Sequence, residues 1–206
     1  MKFSEIFKNE FYDLMLKPNH PANPVRNRAE SFLLIFQELE KIKDSGFVIV
    51  ETGCMRGDHG EFCYGDDGAS TYIFDQFANH TNSKVFSVDI NPNNTSFAKS
   101  KVSNKTEIIT NDSVKFLWNF PVSIDFLYLD SYDIERSNPH PSQLHHVKEL
   151  CAAIRNLKAG SIVCVDDHDA FFTGGEIGKG TYVKEFMDNI NATKLYEGYQ
   201  IVWQMQ

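Results

Sequence analysis

The sequence predicts a doubly wound α/β fold, with a mostly parallel sheet of about seven strands, helices on both faces and extra helices at the N-terminal end. Two observations carry this expectation. First, short runs that are apolar throughout, "FVIVE" (47–51), "KVFSVDI" (84–90), "TEIIT" (106–110), "SIDFLYLD" (123–130) and "SIVCVDD" (161–167), mostly alternate with helix-periodic segments. Strands covered on both faces read as continuous apolar runs, and such strands belong to parallel sheets. Second, all of these runs but "TEIIT" terminate in acids: Glu51, Asp89, Asp130 and the pair Asp166–Asp167. In an open parallel sheet, ligands collect beyond the carboxyl ends of the strands. One acid there is readily explained as a helix cap. A row of them on one edge points to a shared site.

The elements follow in order. Ile6, Phe7, Phe11 and Leu14 recur at helical spacing, and "KPNHPANP" (17–24) breaks the chain with three prolines. A second helix runs through "RAESFLLIFQELEKIKD" and stops at Ser45–Gly46. After the strand ending in Glu51, "ASTYIFDQFANH" is helix-periodic, with Ser70 or Thr71 able to cap it. "DSVKFLWNF" is a short helix capped by Asp112 or Ser113, and "PSQLHHVKELCAAIRNLKAG" is a long one closed by Gly160. "GTYVKEFMDNI" is a further helix, and "TKLYEGYQIVWQMQ" forms one or two late strands bent at Gly198. Residues 1–46 are therefore expected to be a helical extension to a ligand-binding domain over 47–206.

Bulk properties narrow the function classes. A hydrophobic content of 42% marks a globular chain, and a formal charge of −8 argues against nucleic-acid binding, which needs a basic face. No apolar stretch approaches the ~20 residues of a membrane span. Cys54, Cys63, Cys151 and Cys164 form no CxxC, which fits reduced thiols and a cytoplasmic location. A small-molecule substrate is the expected partner.

The first loop, "ETGCMRGDHGEF", is the natural floor for a cofactor. A dinucleotide fold would place G-x-G-x-x-G there and an acid ~20 residues on. Only Gly53 is in place, Gly57 comes four residues later, and Asp89 falls late. An adenosine ligand without a pyrophosphate needs less: a glycine for close backbone approach and a carboxylate for the ribose hydroxyls. Asp89 suits the second task, and Asn111 and Asp112 in "TNDS" would lie near the adenine edge.

Taken together, "VETGCMRG", "VFSVDIN", "IITNDS", "DFLYLDSYD" and "LKAGSIVCVDDHD" resemble the class I S-adenosylmethionine-dependent methyltransferases, whose sheet is Rossmann-like. Within that superfamily the chain looks most like small metal-assisted O-methyltransferases of the macrolide-sugar type, with Gly53, Arg56 and Gly57 matching their first loop. The resemblance implies S-adenosylmethionine as cofactor, with Glu51, Gly53, Arg56 and the nearby backbone at its methionine end. It implies Asp89 at the ribose, Asn111 and Asp112 near the adenine, and Ser70 and Asp130 also in reach. The insertion between Gly57 and Gly68 departs from the pattern and is expected to form a flap.

Methyl transfer to a hydroxyl needs positioning and a group that takes the proton. Asp130, Asp166 and Asp167 end neighbouring strands and offer oxygen ligands suited to Mg²⁺, Ca²⁺ or Mn²⁺; the alternative is that Asp166 caps the next segment and Asp167 faces solvent. Asp130, Asp133 and His168 are candidate catalytic groups, and Tyr132 is placed where a substrate would sit. His145 and His146, adjacent on a helix, cannot share a face, and either is more readily structural than catalytic. "GGEIGKGTYV" (174–183) fails the P-loop spacing and is expected to be a mobile lid with Lys179 as a contact. His59 between Cys54 and Cys63 leaves a zinc site incomplete.

The expected function is methyl transfer to oxygen on a small hydroxylated molecule, a sugar being one such acceptor. The alternatives are an NAD- or nucleotide-binding oxidoreductase, against which the missing G-x-G-x-x-G counts, and a non-catalytic cofactor-binding module. The N-terminal helices would either cover the site or form a homodimer contact.

Overall fold

The computed structural model describes residues 1–17, 26–56, 64 and 69–206. The proline-rich break and, Tyr64 apart, the expected flap over 58–68 fall outside the described residues, with Gly57, His59, Cys63 and Gly68.

The N-terminal segment forms α1 (Phe3–Glu10), α2 (Tyr12–Met15) and α3 (Ala29–Ile42). The sheet elements follow as β1 (Val48–Thr52), α4 (Ser70–Thr81), β2 (Lys84–Asp89), α5 (Pro92–Lys99), β3 (Thr106–Thr110), α6 (Ser113–Asn119), β4 (Ile124–Leu129), α7 (His140–Ala153) and β5 (Leu157–Val165). The chain ends with α8 (Thr181–Asn189), β6 (Thr193–Glu197) and β7 (Ile201–Gln204). The seven strands are ordered β3-β2-β1-β4-β5-β7-β6, and only β7 runs against its neighbours. The fold is the predicted doubly wound sheet, with its switch point between β1 and β4.

Side-chain alternation on the strands divides the core between two faces. Phe126 and Tyr128 of β4 meet an aromatic layer from α1, α3 and α4 that includes Phe3, Phe7, Phe32, Phe36, Phe74 and Phe77. These rings pack largely edge-to-face, as Phe3 on Phe36 with centroids 4.9 Å apart at 80°, the arrangement that aromatic quadrupoles favour. Leu127 and Leu129 point the other way, with Leu117, Leu150, Val183, Met187 and Trp203. The N-terminal helices therefore share the core of the sheet.

Four local expectations are corrected. The long helix ends at Ala153, and after a short 3₁₀ turn the chain enters β5 at Leu157, so Gly160 lies inside a strand and closes no helix. The reason is pairing: Leu157 is in register with Ile124, and Gly160 N–H donates to Met205 O. Ser70 and Thr71 do not cap α4, whose N-cap is Ala69, because their hydroxyls are engaged elsewhere. The expected single N-terminal helix is split by Phe11 into α1 and α2. Helix α5 was not anticipated, yet the parallel pairing of β2 with β3 requires such a crossover, and Asn91 caps it by accepting from Asn93 N–H. Asp112 caps α6 as expected, accepting from Lys115 N–H at 2.8 Å. Among the described residues no helix is long and apolar enough to cross a membrane.

Candidate functional site

The strand register brings the expected residues to one edge. Thr52 pairs with Leu129, Asp130 N–H donates to Thr52 O, Asp166 N–H to Leu129 O, and Gly53 N–H to Val88 O. Gly53 must be glycine twice over: its φ is +80°, and a Cβ there would lie 2.4 Å from Asp130 O. The backbone of the first loop thus closes against the end of β4, leaving a cleft at the switch point.

That cleft has two connected parts. One, of about 250 Å³, is lined by Gly53, Arg56, Ser70, Asp89, Asp130 and Asp133 among others. The second, of about 330 Å³ and more apolar, shares Gly53, Asp89, Ile90 and Ser131 with it and adds Asp112, Ser113, Tyr132 and His145. An open groove of about 620 Å³ continues past Tyr132 and His145 towards His140 and Tyr182. Asp89 stands where the first two parts meet, its carboxylate accepting from Asn91 N–H at 2.7 Å, Asn94 Nδ2 at 3.1 Å and Cys54 N–H at 3.3 Å. Asn111 does not line the cleft; its side chain accepts from Asp112 N–H and its N–H donates to Asp89 O.

Glu51 is set deeper than the other acids. It sits one residue before the end of β1, fully buried, and accepts from the hydroxyls of Ser70 and Ser87. Asp133 lies outside, largely exposed, and holds Arg56 across the mouth of the cleft with two contacts of 2.9 and 3.1 Å.

Asp130, Asp166 and Asp167 converge, with one oxygen of each within 4.8 Å of the others. Two buried cations meet them. Arg28, arriving from just before α3, grips Asp166 with Nε at 3.0 Å and Nη2 at 2.7 Å, and Gln200 Nε2 donates to the same carboxylate at 2.8 Å. Lys179 Nζ lies 2.5 Å from Asp130 Oδ1 and 3.0 Å from Asp167 Oδ2, and its side chain is 0% exposed. Tyr199 hydroxyl donates to Asp167. The electrostatics follow from this set. Burial opposes the Asp167 charge, but Lys179, Arg28 and Tyr199 outweigh it and hold that carboxyl well below the usual range. Asp130 is pushed the other way: burial raises it, Asp166 and Asp167 add to the rise, and Lys179 offsets only part.

Whether a divalent ion fits here can be judged from the donors. Their number and chemistry suit one. Both oxygens of Asp166 and of Asp167 and Oδ1 of Asp130, however, are already engaged by Lys179, Arg28, Gln200 and Tyr199, and a dication would share a buried space with two fixed positive charges. With these partners in place the ion does not fit.

The histidines divide by environment. His168 is 1% exposed, lies against Gly175 and Gly180, and has Nε2 3.5 Å from Glu197 Oε1, so its ring faces the loop rather than the cleft. Burial lowers its pKa. His146 is buried and donates from Nδ1 to Ser142 O, and burial lowers it to about 4. His145 lines the cleft, bonded to Ser113 and Glu149, and the Glu149 contact raises it. The 174–183 segment is no free lid: Lys179 N–H donates to Asp167 O, and a Cβ on Gly178 would stand 1.7 Å from His168 O. Arg28, Tyr199 and Gln200 went unnoticed in the sequence, where no motif marks them. Lys179, expected as a contact beside the substrate, is buried against Asp130 and Asp167.

No family model and no curated protein matches the sequence. Solved structures match its fold. MycE methyltransferase from the mycinamycin biosynthetic pathway, in complex with Mg and SAH, aligns with TM-score 0.63 at 12% identity, over 94% of this chain and 53% of that one. The chain thus spans about half the length of MycE. N-methyltransferase NodS from Bradyrhizobium japonicum WM9, with S-adenosyl-L-homocysteine, aligns at 0.55 and 12% identity, over 94% and 97%. An rRNA methylase from Streptococcus thermophilus aligns at 0.53 and 13% identity, over 82% and 92%. At these identities the likeness is one of architecture: this chain has the Rossmann-like fold of S-adenosylmethionine-dependent methyltransferases.

Proposed function

We propose that the protein binds S-adenosylmethionine in the switch-point cleft and transfers its methyl group to oxygen on a small hydroxylated molecule, such as a sugar. The observation that carries this reading is the placement of Asp89 between the polar and apolar parts of the cleft, with Gly53 on its floor. Asp89 takes the ribose hydroxyls, while Ile90, Tyr132 and His145 wall the adenine and Asp112 and Ser113 meet its edge. Gly53 and Ser70 border the methionine end. Arg56 and Asp133 close the mouth above it and exclude water.

When bound, the sulfonium supplies an electrophilic methyl carbon: the acceptor oxygen forms the new C–O bond as the C–S bond breaks and its electron pair stays on sulfur. The chain must hold the acceptor in line and accept its proton. Asp130 is placed for the second task, with Oδ1 fixed by Lys179 and the carboxyl on the wall of the cleft, and burial raises its pKa above the ordinary carboxylate range. The acceptor is held beside Asp130 and Ser131, which line the polar part of the cleft. In this reading neither a divalent ion nor His168 takes part in the transfer.

Calorimetry tests the reading: S-adenosylhomocysteine binds and NAD⁺ does not. Binding of NAD⁺ with no response to S-adenosylhomocysteine would instead support the oxidoreductase. A labelled-methyl assay over hydroxylated, amino and RNA acceptors then tests the oxygen preference, and transfer confined to RNA or nitrogen overturns it.

A further inference from the structure

We propose that Lys179 is the built-in cation of the Asp130–Asp166–Asp167 cluster, that its ammonium stands in place of a divalent metal ion and excludes one, and that removing it turns the cluster into a Ca²⁺ site. The pairing of this lysine with the carboxylates is the same whatever reaction the cleft performs.

The oxygens a metal would need are those that Lys179 uses. Its Nζ lies 2.5 Å from Asp130 Oδ1 and 3.0 Å from Asp167 Oδ2, and points its remaining donor capacity at Asp130 O, 3.5 Å away. An ammonium is a compact point charge with three donors, so on a cluster of carboxylates it satisfies the same lone pairs as a hard cation. The third carboxylate, Asp166, is gripped by Arg28 and Gln200. Charge count reinforces the geometry. Three carboxylates face two cations, and a dication added beside both would bring four positive charges against three negative in a buried space.

Nor can the lysine readily step aside. Its backbone N–H donates to Asp167 O, and the next turn is locked because Gly178 lies so close to His168 O that no Cβ could be admitted. The glycine-rich stretch 174–180 is thereby explained: it brings a short loop back over His168 and delivers one side chain into the acids. Once Lys179 is gone, the ligand oxygens remain up to 4.8 Å apart. Opposed ligands of Mg²⁺ stand about 4.2 Å apart, those of Ca²⁺ about 4.6–5.2 Å, so the opened site suits the larger ion.

The test uses the full chain and the metal alone. Calorimetry and thermal denaturation of the wild-type protein with CaCl₂, MnCl₂ or MgCl₂ are expected to show no saturable binding and no rise in melting temperature. Lys179→Ala is expected to gain Ca²⁺ binding with a Kd of about 1 mM or tighter, with a melting temperature that climbs with Ca²⁺, and Lys179→Ala with Asp167→Asn to lose it again. Lys179→Arg should stay closed to the ion. Saturable divalent binding by the wild type that Asp130→Asn abolishes overturns the proposal without recourse to any lysine variant. A Lys179→Ala protein that is folded by circular dichroism and binds no cation overturns it as well. Neither result bears on S-adenosylhomocysteine binding, which is read separately.

Discussion

Asp89 shows how a single carboxylate is prepared for a ligand. Backbone and amide donors hold it at the junction of the two parts of the cleft, and it lines both. Asp89→Ala is expected to weaken S-adenosylhomocysteine binding by about tenfold to a hundredfold, or ~1.4–3 kcal/mol, as calorimetry would read it. Unchanged affinity would remove the residue from the ribose role. His146 makes a different residue-scale prediction. Its folded-state pKa of about 4 lies below the ordinary 6.5, because burial disfavours the charged ring. Between those values the unfolded chain binds the proton and the folded chain does not. The His146 contribution to stability is therefore fully present above about pH 6.5 and falls by up to about 3 kcal/mol as the pH drops towards 4. Urea denaturation across that range checks it, and His146→Leu should flatten the dependence.

At the scale of elements, glycine positions decide where loops can close. The loop from β5 to α8 was legible as glycine-rich, but its purpose was not, because the reason lies in a contact with His168 made through the fold. Gly178→Ala places a methyl against His168 O and is expected to cost about 2 kcal/mol or more and to loosen Lys179 with it. Urea denaturation would measure the cost, and a neutral outcome would show that the loop shifts freely. The strands were legible because burial on both faces leaves an unbroken apolar run. Helix α5 was not, because "PNNTSFAK" has a weak apolar stripe and is placed by the need to cross from β2 to β3. The end of α7 was misjudged for a related reason: Gly160 looks like a helix stop, but the pairing of Leu157 with Ile124 claims that segment for the sheet.

At the scale of the whole molecule, Arg28 ties the N-terminal helices to the carboxyl end of β5. It reaches Asp166 from just before α3, and the adjoining Ser31 hydroxyl donates to Gln200, which also holds Asp166. The aromatic layer of α1 and α3 thus shares the core, and Arg28 extends that union into the site. Removing one member of a buried ion pair leaves the other uncompensated, so Arg28→Ala is expected to cost about 3–5 kcal/mol, with part recovered in Arg28→Ala/Asp166→Asn. A double-mutant cycle in urea checks the coupling, and independent, additive losses would refute it.

The amino-acid order by itself determined the alternation of strand and helix and the row of acids at one edge, since apolar periodicity and strand termination are local properties. It also located the cleft, because the carboxyl ends of a parallel sheet share a side. The state of those acids was decided only by tertiary structure. Asp130 and Asp167 are near neighbours of Lys179, and Asp166 of Arg28, across separations of 49, 12 and 138 residues. No periodicity encodes such pairings, because they arise where the loop over His168 and the entry to α3 converge on the strand ends. A sequence that reads as three free carboxylates awaiting a metal ion folds into carboxylates already compensated.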